Sequence, residues 1–476
     1  METTVKFREA RASDARRGRR RLVAGVTLVA LAATLASCHD LLNPELPAGT
    51  QDPGTFNNEN GAIARYNTAV ADAWDAFVQY ARTSGTFADE LHVAAVPPSG
   101  VLGDPFDERI LPEFSSSSIR SAASDSAGRI YSSIQRSRGS NAEAIGALAK
   151  FAPDKPGSLR GELYAYTAYD EIEMAEVFCS GIPLSTLDFE GDFTYKAGSP
   201  SVDVYQHVID LLDTARTLGA DNADIVNLAA VGTGRALLDL GRYSDAAQAV
   251  ANVPDDFKYT HLIHWQGSVQ NIGGIEPLFA HVTVANVEGG NGLDFLTSHD
   301  PRSSSHQTGT STTGQAIFTP DAYIGITPLV LASGIEARLI EAEAAQQLAD
   351  ASWLTKLNAL RTDNTFDTQV NGGETDTVWH AGTGGIAGLV PLSDPGSVDA
   401  QVDLLFRERA FWLFITGHRQ GDLRRLMRQY HRRQDQVYPK GFYQGALAAY
   451  GTDVTAPIPP QERLNPLFTG CLNRDP

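Results

Sequence analysis

The chain has 476 residues, 42% hydrophobic and 20% charged, with 57 Asp and Glu against 38 Lys and Arg for a net charge of −19. Such an acidic balance favours solubility and repels polyanions, which argues against nucleic acid as a partner. The length suits two average domains or one large one.

Residues 1–37 read as a secretory signal. Arg16, Arg17, Arg19, Arg20 and Arg21 precede an uncharged run from Leu22 to Ser37. That run spans 16 residues, fewer than the roughly 20 needed to cross about 30 Å of hydrocarbon, and nothing like it recurs. Leu35-Ala36-Ser37-Cys38 matches the bacterial lipobox, in which small residues let signal peptidase cut just before a diacylglyceryl cysteine. Cys38 is therefore expected to become the lipidated first residue, held by acyl chains at about 0.8 kcal/mol per buried methylene. Residues 1–37 carry eight Lys/Arg and three acids, so their removal takes the net charge from −19 to −24. Cys179 and Cys471 remain in an exported chain, where a pair oxidises, and a disulfide tying the C-terminal tail to the first half is expected.

Residues 38–58, rich in Pro, Gly and Asn, read as an extended tether. A helix follows over 59–82, with Ile63, Tyr66, Val70, Trp74, Phe77 and Val78 at three- and four-residue spacing. Further helices are expected at 120–151 and at 159–178, the latter stopping before Gly181-Ile182-Pro183. Residues 201–252 are repeat-like: Tyr205, Val208, Ile209, Leu212 and Ala215 share one face, and the next helix pair is joined by Gly241-Arg242-Tyr243. Alanine-rich pairs of this kind resemble tetratricopeptide repeats. Residues 253–330 read as irregular, with a few short strands. Helices return at 333–349, 352–361 and 398–430. The interval 362–397 is loop-rich, its glycine-dense part at 371–388 reading as a surface loop, and the tail after Tyr430 reads as non-helical. The fold class is mostly α: a helical scaffold from residue 59 to 476 with loop-rich portions at 253–330 and 362–397.

No pattern amounts to an active site. There is no Gly-x-Ser-x-Gly elbow, P-loop or dinucleotide-binding glycine fingerprint. His261 and His264 in HLIHW lack a glutamate and a third ligand, so no metal and no cofactor are expected. Acid pairs among the 54 Asp and Glu left after residue 37 cannot be assigned as a glycosidase pair, because their separation in the fold defines the chemistry. The basic run RRLMRQYHRR, with Arg424, Arg425, Arg428, Arg432 and Arg433, reads as a solvated helix end that pairs with neighbouring carboxylates and suits the helix's negative pole.

In order along the chain, DLLNPELP after Cys38, the segment LRGELYAYTAYDEIEMAEVFCSGIPL at 159–184, the segment EARLIEAEAAQQLADASWLTKLNALR at 336–361 and the closing PIPPQERLNP are similar to the corresponding parts of the SusD/RagB family of nutrient-binding lipoproteins. The segment LLFRERAFWLFITGHRQGDLRR at 404–425 resembles that family's E-R and G-H-R-x-x-D-L-x-R helix. The resemblance implies a tetratricopeptide-like scaffold with a loop-rich, ligand-facing portion. It also implies a lipid-anchored outer-membrane protein, facing the cell surface, that captures a glycan, oligosaccharide or peptide and delivers it to a TonB-dependent, SusC-like transporter. It implies no enzyme activity. The competing reading is a lipid-anchored tetratricopeptide-like scaffold that holds another envelope protein and binds no nutrient.

Glu408, Arg409, His418, Arg419, Asp422 and Arg425 are expected to clamp the scaffold from one long helix and its turn, rather than to catalyse. The family's ligand contacts come from loops without a shared motif. A sugar site needs a flat aromatic face and fixed polar groups, which makes Trp265, Phe295, Tyr323 and Trp379 the candidates.

Overall fold

The first described helix begins where Asn58 caps it, its side chain accepting from the Gly61 N–H at 3.0 Å. This helix, α1 (Glu59–Phe87), buries Trp74, Phe77 and Val78 as their spacing requires. Next come α2 (Ser117–Phe151), α3 (Gly157–Val177), α4 (Ser201–Leu218), α5 (Ala223–Asp239) and α6 (Tyr243–Val250). The chain continues with α7 (Gly334–Gln347), α8 (Ser352–Thr362), α9 (Val398–Trp412), α10 (Arg419–Arg428) and the short α11 (Gln434–Val437). The structure is a computed structural model that describes residues 56–93, 117–262, 282–310, 314–321, 328–371, 374–381, 386, 388–441 and 450–476. Cys38, Trp265 and Tyr323 lie outside the described residues.

From α1 to α8 each helix packs on the next, an arrangement of successive helix pairs that gives the mostly α, tetratricopeptide-like scaffold its form. Small side chains allow it: Ala165, Ala168 and Ala175 of α3 are fully buried between neighbours. Ser333 and Ser397 cap α7 and α9 by accepting from Glu336 and Ala400 N–H groups at 3.2 and 3.3 Å. Among the described residues, strands form six two-stranded antiparallel sheets. Three of them order the 253–330 region, and the second of these ties it to the chain just after α1. Lys258–Leu262 pairs with Pro328–Ser333, Val282–Val284 with Leu91–Val93, and Ser305–Thr310 with Ala316–Pro320.

Two expectations need correction. The stretch 371–388 is not a plain loop: strands Asn364–Asn371 and Glu374–Ala381 pair across it, Phe366 opposite Trp379. β-branched and aromatic residues in FDTQV and TVWH favour strands on either side of Gly372-Gly373, a two-residue hairpin signal hidden by the glycine count. The helix expected over 398–430 is broken into α9 and α10. The chain turns at Ile415 (φ 56°) and Gly417 (φ 80°). A Cβ on Gly417 would lie 2.5 Å from the Tyr80 ring, so only glycine serves there. The tail also carries more order than expected, with α11 and a 3-10 turn at Pro460–Leu464.

Cys179 and Cys471 are joined by a disulfide, their Cα atoms 5.8 Å apart and 292 residues apart in sequence. The bond sits beside backbone hydrogen bonds from Cys179 N–H to the Ala456 carbonyl and from Leu472 N–H to the Ser180 carbonyl, both 2.8 Å. Closing so long a loop restricts the unfolded chain strongly. Replacing both cysteines with serine should lower unfolding stability by about 2–5 kcal/mol in urea titrations. A thiol count on the denatured, unreduced Cys38→Ser chain should find no free thiol; two would contradict the bond.

Candidate functional site

The motif residues on α9, α10 and the turn between them hold the scaffold together. In a continuous helix Arg409 and Asp422, 13 residues apart, would be about 20 Å apart along the axis. The turn folds α10 back, and Arg409 donates from Nε and Nη2 to the two Asp422 oxygens at 2.9 Å each. Arg425 donates to Asp422 at 2.7 Å and to both oxygens of Glu343 on α7 at 3.2 and 3.0 Å. Burial alone would raise the Asp422 carboxyl, but Arg409 and Arg425 outweigh it and hold it well below the usual carboxylate range. Arg419 forks onto Asp89 at 2.6 and 2.9 Å, and Glu408 accepts from Arg302 at 2.8 and 3.2 Å and from Arg361 at 2.6 Å. His418 is held between the Thr416 hydroxyl at 2.8 Å and Arg235 at 3.1 Å. Arg235 forks onto Glu176 of α3 at 2.7 and 2.6 Å.

These six side chains are at most 6% exposed, and none lines any of the described cavities. Their arrangement suits clamping five helices rather than chemistry on a ligand. Only the end of the basic run is a solvated one, with Arg432 and Arg433 paired to Asp403 and Asp435 at 3.0 Å each. Arg424 and Arg425 are buried, and Arg424 donates to the carbonyls of Ala175 and Phe178, satisfying acceptors at the end of α3. Beside this network lies Glu90, whose Oε1 accepts from the Ile415 N–H at 3.1 Å while its Oε2 is buried without a hydrogen-bond partner among the described residues. Burial pushes the Glu90 carboxyl up to about 8, with Asp89 and Asp422 adding to the rise and Ile415 and Arg419 opposing it.

The largest opening among the described cavities is elsewhere, a cleft of about 850 Å³ between α2, α3, α4 and the hairpin Thr186–Leu187/Phe193–Thr194. Its floor is polar. Glu171 of α3 is fully buried and accepts from Arg138 of α2 at 3.1 Å and from His207 Nδ1 of α4 at 2.6 Å. The hydrogen bond to Glu171 raises the His207 pKa and outweighs the lowering effect of burial. Arg138 also donates to Gln135 Oε1 at 2.7 Å and to the Ser185 carbonyl at 3.3 Å, pinning the start of the hairpin. Opposite, Phe189 approaches α2 so closely that a Cβ on Gly146 would lie 2.4 Å from it. Tyr164 and Phe193 complete the aromatic lining, and Phe193 is 54% exposed. Sequence reasoning missed this cleft, because its walls come from helix faces that read as ordinary scaffold.

Of the aromatic candidates, Phe295 is corrected. It is 1% exposed, stacked on Phe414 at 4.9 Å and packed on Phe411 at 5.1 Å. Asp89 and Asn286 accept from the Leu293, Leu296 and Thr297 N–H groups and hold the loop so that the ring turns inward. Trp379 lies on strand Glu374–Ala381 with its side chain outside the described set. His261 lies on a strand, stacked on Trp74 at 5.1 Å, and not on a helix.

No family sequence model and no curated protein sequence matches the chain. Solved structures do. A SusD homolog from Bacteroides thetaiotaomicron is 12% identical with a TM-score of 0.59, over 88% of this chain and 99% of that one. A SusD-like carbohydrate binding protein from Bacteroides vulgatus is 13% identical with a TM-score of 0.56, over 87% of this chain and 97% of that one. A SusD-like protein from Bacteroides fragilis is 13% identical with the same score of 0.56, over 89% and 98%. The chain has the SusD-like fold, as the sequence resemblance implied.

Two outcomes test this site. Asp422→Asn leaves two buried guanidiniums short of a countercharge and should cost about 3–5 kcal/mol at neutral pH. Because the folded Asp422 pKa is depressed, its contribution is full above the unfolded carboxyl's value near 4 and is lost as pH falls below it. Chemical denaturation at stepped pH reads both effects. Glu90 has the opposite sign: its contribution is full below 4.5 and is lost as pH rises to about 8. Glu90→Gln should therefore flatten the fall in melting temperature over that interval, and an unchanged slope would assign the slope to other groups.

Proposed function

We propose that this chain is a SusD-like outer-membrane lipoprotein, anchored through Cys38 and facing the cell surface. In this reading it captures a glycan or oligosaccharide and delivers it to a TonB-dependent, SusC-like transporter. The observation that carries the reading is the SusD-like fold along nearly the whole chain, shared with a Bacteroides vulgatus protein described as carbohydrate binding. Three further features agree with it. The signal and lipobox end at Cys38, the disulfide suits an oxidising compartment, and the 850 Å³ cleft combines aromatic and polar lining. The buried ions at Asp422, Arg409 and Arg425 serve a rigid binding scaffold and leave no exposed acid–base pair at that motif, so the reading is of a binding protein and not an enzyme.

The test is a pull-down from detergent-solubilised outer membranes with a C-terminally tagged full chain and a Cys38→Ala control. Co-purification of a large TonB-dependent barrel with the lipidated form, and its loss in the control, is the expected result. Recovery of other envelope proteins without a barrel would favour the scaffold reading, which the successive helix pairs also suit.

A further inference from the structure

We propose that the cleft between α2, α3, α4 and the Thr186–Leu187/Phe193–Thr194 hairpin is a saccharide subsite for a neutral glycan, in which Phe193 and Tyr164 take the C–H-rich faces of sugar rings and His207 Nε2 pairs with a hydroxyl. The inference rests on the carbohydrate reading above and places a site on the helical scaffold, apart from the loop-rich portions 253–330 and 362–397.

The cleft's volume of about 850 Å³ lies in the range of small-molecule pockets, roughly 300–1,000 Å³. It is also held open by its own structure. Arg138 ties the hairpin's entry to α2 through the Ser185 carbonyl, and the Ser185 hydroxyl accepts from the Lys196 N–H at 3.1 Å. Asn465 donates to the Lys196 carbonyl at 2.8 Å, anchoring the hairpin's exit to the C-terminal tail. A ligand entering such a site meets fixed walls and loses little to their ordering.

The lining divides into occupied and available groups. Phe189 is occupied: Phe151 packs edge-on at 5.5 Å, and the cations of Arg65 and Lys150 stand 5.5 and 5.3 Å from its ring centre. Phe193 is braced edge-on by Tyr195 at 4.8 Å and keeps over half its surface in solvent. Its apolar face is thus presented without being covered. On the floor, both Glu171 oxygens are engaged by Arg138 and His207, so this carboxylate is a brace and not a ligand contact. His207 uses Nδ1 for that bond, its side chain is 47% exposed, and Nε2 is the ring nitrogen left for a sugar hydroxyl, which donates to it when the ring is neutral.

Charge selects the class of glycan. Five carboxylates line the cleft against two arginines and His207. Glu171 pairs with Arg138 and His207, Glu143 with Arg65 and Glu190 with Lys150, while Arg136 is taken by Asp72 and Asp75. Asp188 and Glu462 therefore stand in the lining with no lining cation left over. A uronate or sulfated sugar would meet net repulsion, and a neutral sugar would not.

The test uses the detergent-solubilised full chain and titration calorimetry with neutral hexaoses of glucose, xylose and mannose, with hexagalacturonate as the acidic control. Phe193→Ala and His207→Gln probe the two contacts. Gly139→Phe probes the space: Gly139 lines the cleft on α2, and nothing lies within 4 Å of where its Cβ would be, so a side chain there starts in open space and takes up room in the cleft. At least one neutral hexaose should bind, about tenfold or more weaker in each variant, with the melting temperatures of Phe193→Ala and Gly139→Phe close to the parent's. A neutral hexaose bound equally well by the parent, Gly139→Phe and Phe193→Ala would overturn the subsite while leaving the carbohydrate reading standing. Tighter binding of hexagalacturonate would overturn the neutral assignment. Binding of none of the four would overturn the subsite and the carbohydrate reading together.

Discussion

One carboxylate shared by two buried guanidiniums sets the terms for the rest of the molecule. Asp422 can face Arg409 only if the chain leaves α9, reverses through Gly417 and starts α10 alongside. Arg425 then carries the linkage to Glu343 on α7, Arg419 to Asp89 beyond the end of α1, and Arg235 and His418 to Glu176 on α3. Buried charges left single are costly, whereas charges paired at both ends fix a geometry. The clamp is thus a device for registering helices, and an error in one element would strand ions in several.

The same principle recurs at smaller scale in the cleft. Glu171 is buried at a junction of three helices, and Arg138 and His207 reach it from either side. Its neutralisation fixes α2, α3 and α4 relative to one another and props the hairpin through Ser185. What remains uncommitted is on the outer side: the Phe193 ring, Tyr164 and the second nitrogen of His207. A scaffold whose charges are engaged internally leaves apolar faces and a single ring nitrogen to meet a ligand, a division that suits binding without turnover.

Much of the fold was legible in the sequence because three- and four-residue spacing is local. Trp74, Phe77 and Val78, or Leu163, Tyr166 and Ile172, announce buried faces whatever they pack against. The break after Trp412 was not legible in that way, since the apolar pattern runs on through Leu413 and Phe414. Only the contact of Gly417 with Tyr80, distant in sequence, forbids continuation. Arg424 and Arg425 misled for a related reason: a basic run reads as solvated until its partners, Ala175, Phe178 and Glu343, are brought from other helices. Aromatic residues on loop-like stretches were reasonable ligand candidates, yet Phe295 proved to be core because Asp89 and Asn286 draw its loop inward. The cleft could not be read at all, being a property of how three helix faces and a four-residue pairing meet.

The most direct measurement is hydrogen–deuterium exchange on the detergent-solubilised full chain, with and without saturating neutral hexaose. The account predicts slowed exchange in the 184–197 hairpin and in the parts of α2 and α4 that border the cleft, with α7, α9 and α10 slow in both states and unchanged. Sugar-dependent protection confined to 253–330 or 362–397, or absent everywhere, would contradict it.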